Sequence, residues 1–138
     1  MKRPPATVVV FLLALGLYAA TTHRRVFIAG NDASRWAAIE SLVDYGTASI
    51  ERSRFAANVD RIRIGEREYS NKPPLLSLAG AAIYAVLQAT FGWSLAGAGA
   101  ANVLYWVTLL LVGVPSAWLV ARFFAELSRF PELDGRWR

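Results

Sequence analysis

Three apolar stretches, roughly Ala6 to Thr22, Pro74 to Phe91 and Asn102 to Leu127, leave this chain few ways to fold. A helix needs ~20 apolar residues to cross the hydrocarbon of a bilayer, with ~17 as the lower limit. By that measure the first stretch is short but adequate and the third is generous, so the sequence predicts three transmembrane helices. Composition agrees. Of 138 residues 55% are hydrophobic, and the charged 18% are confined to a few segments instead of being spread over a soluble surface.

The first stretch also has the form of a signal peptide, because Lys2 and Arg3 precede an apolar core. Leu17 and Tyr18, however, stand where a small-x-small cleavage site wants small residues, so the reading favours a retained span. The absence of cysteine excludes disulfides, thiolate chemistry and cysteine-built zinc or iron–sulfur sites. A formal charge of +5, with arginines between the spans, favours anionic membrane lipid over nucleic acid as a partner.

Between His23 and Lys72 lies a polar segment of about 50 residues, too long for a mere connector and therefore the expected seat of function. Its first half, NDASRWAAIESLVDYG, reads as an amphipathic helix in which Asp32 or Ser34 caps the start and Gly46 offers a stop. Trp36, Ile39, Leu42 and Val43 make an apolar stripe, with Arg35, Glu40, Ser41 and Asp44 largely opposite. Such a helix either lies in the headgroup layer or packs on the spans. In DRIRIGEREYS, the alternation of Arg61, Ile62, Arg63 and Ile64 before Gly65 predicts a small hairpin or extended turn. Arg61, Arg63 and Arg67 form either a basic rim for an anionic substrate or, interleaved with Asp60, Glu66 and Glu68, a solvated surface.

Pro73 and Pro74 open the second span, where a proline in the first turn forfeits no hydrogen bond. Ser77, Ala81, Ala85 and Ala89 recur every fourth residue, a ladder of small side chains that lets another helix approach closely. Gly113 and Pro115 predict a kink in the third span, and Arg122 its end; residues 128–138 read as a polar tail. Orientation rules conflict. Lys2 and Arg3 favour a cytoplasmic amino terminus and an external long segment, yet lysine and arginine are concentrated in that very segment.

Lys72 stands just before a helix amino terminus, where free N–H groups and the helix dipole already favour an anion. It is either a lipid-phosphate ligand or a snorkelling anchor for the span. Asp32 follows the first span closely, and at the membrane surface it serves either as a helix cap or as a general base. Tyr69 packs the loop or touches a sugar. His23, the one histidine, reads most simply as an interfacial residue.

The order of these features resembles the amino-terminal part of C-type (GT-C) membrane glycosyltransferases. A span is followed by Asn31-Asp32 and Ser34-Arg35-Trp36, then a polar loop, then Tyr69-Ser70-Asn71-Lys72-Pro73-Pro74 at the mouth of the next span. The likeness is nearest to the bacterial aminoarabinose-transferase branch and more distant to protein O-mannosyltransferases. It implies an all-α membrane fold with an extracytoplasmic loop, in the inner or plasma membrane, and sugar transfer from a polyprenyl-phosphate donor. It also implies Asp32 as catalytic carboxylate, Lys72 as phosphate-binding cation, and Arg35, Tyr69 and Asn71 as substrate contacts. Asn71 stands where many relatives carry an acidic residue able to hold a divalent metal, and an amide is a weak metal ligand, which argues against metal dependence. Because relatives carry many more spans, the chain is expected to be an amino-terminal piece that works with the remainder of a transferase or with other membrane helices. The rival expectation is a non-catalytic membrane subunit or a lipid-phosphate-binding protein.

Overall fold

The computed structural model describes residues 4–25, 30–57 and 59–130. Lys2 and Arg3, on which half of the orientation argument turns, and the tail from residue 131 lie outside them. The described chain is mostly helical. Its elements are α1 (Ala6–Thr21), α2 (Gly30–Asp44), β1 (Arg61–Ile64), β2 (Arg67–Ser70), α3 (Pro74–Phe91), α4 (Ala100–Thr108), a π-helical turn (Leu109–Gly113) and α5 (Val114–Leu127). Two helical runs, Pro74–Phe91 and Ala100–Leu127, are long and apolar enough to cross a membrane, whereas α1, with 16 residues, is a shorter apolar helix.

Two compact units are present, one built from the segments that end at Thr22 and begin at Thr108, the other spanning His23–Val107. In the first, α1 packs along α5 and the π turn. The kink expected at Gly113 and Pro115 takes the form of that turn. Proline lacks an N–H and crowds the preceding turn, and one widened turn absorbs both defects. Gly113 matters for packing as well, since a β-carbon there would stand 2.8 Å from Cδ1 of Leu109 and 3.4 Å from Cβ of Tyr18. Helix α1 closes its last turn with its own hydroxyls: Thr21 donates to the Leu17 carbonyl at 2.8 Å and Thr22 to the Tyr18 carbonyl at 2.7 Å.

The second unit is assembled around α2. Ala33, Ser34 and the whole run Trp36–Ser41 are buried, so this helix is covered on nearly all sides. Of the two placements open from sequence, packing against other elements is the one found, and the polar face is corrected: Glu40 and Ser41, assigned to it, are fully buried. Helix α3 lies against α2, with Ser77, Gly80, Ala81, Tyr84 and Leu87 turned inward. Gly80 sets the closeness of that contact, because a β-carbon there would come within 2.6 Å of Cδ1 of Ile39. The small-residue ladder thus divides. Ser77 and Ala81 are buried within the same chain, and Ala85 and Ala89 remain exposed.

Strands β1 and β2 form the expected hairpin, in register Arg61↔Ser70 through Ile64↔Arg67. The turn needs Gly65, whose φ of 63° strains any residue with a β-carbon. The preceding loop is tied down at both ends. Ile50 donates its N–H to the Glu68 carbonyl at 2.8 Å, and Val59 bridges in parallel to Gly30 at the start of α2.

Two buried polar groups hold the remainder. Glu40 Oε2 accepts from the Ser53 hydroxyl at 2.6 Å and the Arg54 N–H at 2.9 Å, and its other oxygen faces Nε of Arg54 at 3.1 Å. The Tyr84 hydroxyl donates to Asp44 at 2.8 Å and accepts the Leu95 N–H at 3.0 Å, pinning the segment after α3. A charge or hydroxyl in an apolar core costs stability unless such partners are present.

Candidate functional site

Lys72 stands two residues before α3, held by a side chain of the hairpin's last strand. Its N–H donates to the Ser70 hydroxyl at 3.2 Å. Ser34, on α2, donates to the Asp60 carbonyl at 2.7 Å, which uses its single proton. The 2.7 Å contact between the two serines therefore has Ser70 as donor. Neither candidate cap fills that role: Ser34 spends its hydroxyl on the hairpin, and Asp32 lies inside the first turn of a helix that begins at Gly30.

This chain of contacts brings Lys72 to the amino end of α2. Oδ2 of Asp60 accepts from Nζ of Lys72 at 2.9 Å, and a β-carbon built on Gly30 would stand 3.6 Å from the same oxygen. The lysine side chain is only 14% exposed, against 51% for Asp60. Asp60 was read from sequence as part of a solvated charge run. The signal that finds it is the hairpin register, since one further step beyond Arg61↔Ser70 sets Asp60 across from Asn71, next to Lys72.

Beside the lysine is a cavity of about 180 Å³ lined by Tyr69, Ser70, Lys72, Pro74, Ser77 and apolar side chains that include Leu42 and Leu78. It opens at the first turn of α3, where backbone N–H groups have no helical acceptor. The Ser77 hydroxyl is buried without a hydrogen-bond partner among the described residues. Tyr69 lines the cavity from β2, and Asn71 is exposed beside it.

Asp32 has other neighbours. Its burial pushes the carboxyl above its ordinary range, and the positive charges of His23 and Arg35 together with a hydrogen bond from Trp36 partly offset this. Arg35 carries a buried Nε without a hydrogen-bond partner among the described residues. Asp32 does not line the Lys72 cavity. The structure thus links the Lys72 side chain, through Asp60, to the start of α2, and gives the Asp32 and Lys72 side chains separate surroundings.

Among the described residues no group of three or more His, Asp or Glu side chains is placed to hold a metal ion. Family models, curated proteins and solved structures offer no match to this chain.

Proposed function

We propose that the chain is a membrane glycosyltransferase component of the GT-C type that holds a polyprenyl-phosphate-linked sugar at the mouth of α3. The supporting observation is the Asp60 carboxylate, which joins Lys72 to the amino end of the Asp32-bearing helix. On this reading α1 is a third span, supported by its packing along α5. The segment 23–73 faces outward.

The chemistry follows from the residues. Lys72 and the free N–H groups of α3 carry the donor's phosphodiester, which gains negative charge and becomes a monoester as the anomeric carbon–oxygen bond breaks. The acceptor hydroxyl forms the new bond to that carbon and gives its proton to Asp32. Burial makes this carboxylate a stronger base than an exposed one, which suits it to the task. The polyprenyl phosphate leaves with the bonding electrons and is held by Lys72. Asp60 is displaced from Lys72 when phosphate arrives.

A second reading, a lipid-phosphate-binding subunit without catalysis, is favoured by the lining of the Lys72 cavity, which does not include Asp32. Membranes containing the chain, offered a radiolabelled polyprenyl-phosphate sugar, separate the two. Transfer that falls about 100-fold or more in Asp32→Asn supports catalysis. Lipid binding that Lys72→Ala abolishes, with no transfer by the unaltered chain, supports the subunit. Unaltered binding and transfer in Lys72→Ala rejects both.

A further inference from the structure

We propose that a second groove in the His23–Val107 unit binds an anionic glycerophospholipid of the surrounding bilayer. Arg24 and Arg25 hold its phosphate, and an acyl chain lies over Phe55, Leu95 and Leu104. The inference rests on the membrane placement in the preceding reading and is independent of sugar transfer.

The groove measures about 610 Å³, and none of its lining residues lines the Lys72 cavity. That volume falls among those of small-molecule sites, roughly 300–1,000 Å³. Its floor is apolar: Ala33, Leu95 and Leu104 are buried side chains that reach it from α2, from the loop after α3 and from α4. Its rim is cationic. Arg54 is already committed, to Glu40 through its Nε and to the Leu95 carbonyl through a terminal nitrogen, so it serves as a fixed wall. Arg24 and Arg25 supply the remaining charge, both exposed. Among the described residues neither forms a salt bridge with a carboxylate. The Arg24 guanidinium carbon lies 4.9 Å from the centroid of the Tyr105 ring, a contact that helps hold the cation at the rim.

A small soluble anion has no use for the floor, and a purely apolar ligand has no use for the rim. A phospholipid uses both. The groove also lies at the first turn of the helical run Ala100–Leu127, through Ala100, Ala101 and Leu104, which is the level at which a span meets the headgroups. A basic side chain near that surface attracts anionic lipid by ~1 kcal/mol, a factor of about five in affinity.

The test is lipid retention by the purified full-length chain, delipidated in detergent and equilibrated with mixed micelles of phosphatidylglycerol and phosphatidylcholine, with bound lipid read by native mass spectrometry. Phosphatidylglycerol should be retained over phosphatidylcholine by about fivefold or more. Arg24→Gln with Arg25→Gln should abolish the preference, and Arg25→Gln alone, at an exposed position, should weaken it. Lys72→Ala should leave it intact, and added inorganic phosphate should not displace the lipid. Equal retention of the two lipids, an unchanged preference in the arginine variants, displacement by inorganic phosphate, or displacement by polyprenyl phosphate each overturns the proposal. Alkaline extraction of membranes provides the separate readout: a chain released by alkali defeats the membrane reading and this site together, whereas a chain retained without lipid preference defeats this site alone.

Discussion

Nζ of Lys72 and Oδ2 of Asp60 lie 2.9 Å apart, so the cation proposed to receive a lipid phosphate is occupied by a carboxylate of the same unit. An ion pair with one partner half exposed contributes little to stability, ~0–1 kcal/mol, and is readily exchanged for a stronger anion. Asp60→Asn should therefore change thermal unfolding only slightly while tightening binding of polyprenyl phosphate several-fold, opposite in direction to Lys72→Ala. Equilibrium binding in detergent measures both, and a loss of affinity in Asp60→Asn contradicts the exchange.

Gly80 is the point at which α3 comes closest to α2. Because a β-carbon there meets Cδ1 of Ile39 at 2.6 Å, Gly80→Ala should destabilise the fold by about 1–3 kcal/mol. Ile39→Val removes the clashing methyl and leaves a small void. The double variant should recover part of the loss, a coupling visible in a double-mutant cycle of denaturant unfolding. Strict additivity of the two changes contradicts this contact.

Glu40 is 0% exposed and bonds both Ser53 and Arg54. Glu40→Ala strips the acceptor from two donors and uncouples the Arg54 wall from α2. Removing one partner of a buried pair costs ~3–5 kcal/mol, and the exposure of Arg54 to water moves the expectation just below that range, to about 2–3 kcal/mol. Hydrogen exchange should show the segment around Ile50 to Ala56 opening first.

Asp32 supplies a pH dependence whose sign follows from its raised carboxyl. The folded state keeps this proton to higher pH than the unfolded chain does, so the group favours folding in acid. That contribution is lost as pH rises from the ordinary carboxylate range through the folded value. Asp32→Asn should remove this decline and leave the variant more stable than the parent at neutral pH. Unfolding followed from about pH 4 to about pH 8 tests it. A neutral-pH loss of stability means that the ionised carboxylate holds His23 and Arg35 in place.

Glu51 acts in the other direction. The Ser49 hydroxyl and the Glu68 N–H, at 2.7 Å and 2.5 Å, hold its carboxyl below the usual range. Its contribution is present above the unfolded value and is lost as pH falls through the folded one, so in acid the link between this loop and β2 should loosen before the helices do. Amide exchange at Glu68 reads that step.

The sequence by itself determined the long-period features of this protein. Uninterrupted apolar composition marked the helices at Ala6, Pro74 and Ala100 to within two residues, because burial of an apolar helix depends on composition summed over its length. Pro74 marked the start of α3, and Gly65 the hairpin turn, because backbone geometry at those points admits few other residues. What tertiary structure decided was which polar residues are inside. Glu40 and Ser41 look like a solvent face on a helical wheel, and became core only because a loop about a dozen residues onward brings Ser53 and Arg54 to meet Glu40. Asp60, Lys72 and Gly30 come from three separate segments, and the arginines and leucines of the second groove from four. Their meeting depends on the close approach of α3 to α2 that Gly80 permits and on a parallel bridge between Val59 and Gly30. Such contacts are products of packing between distant segments, and no local pattern along the chain encodes them.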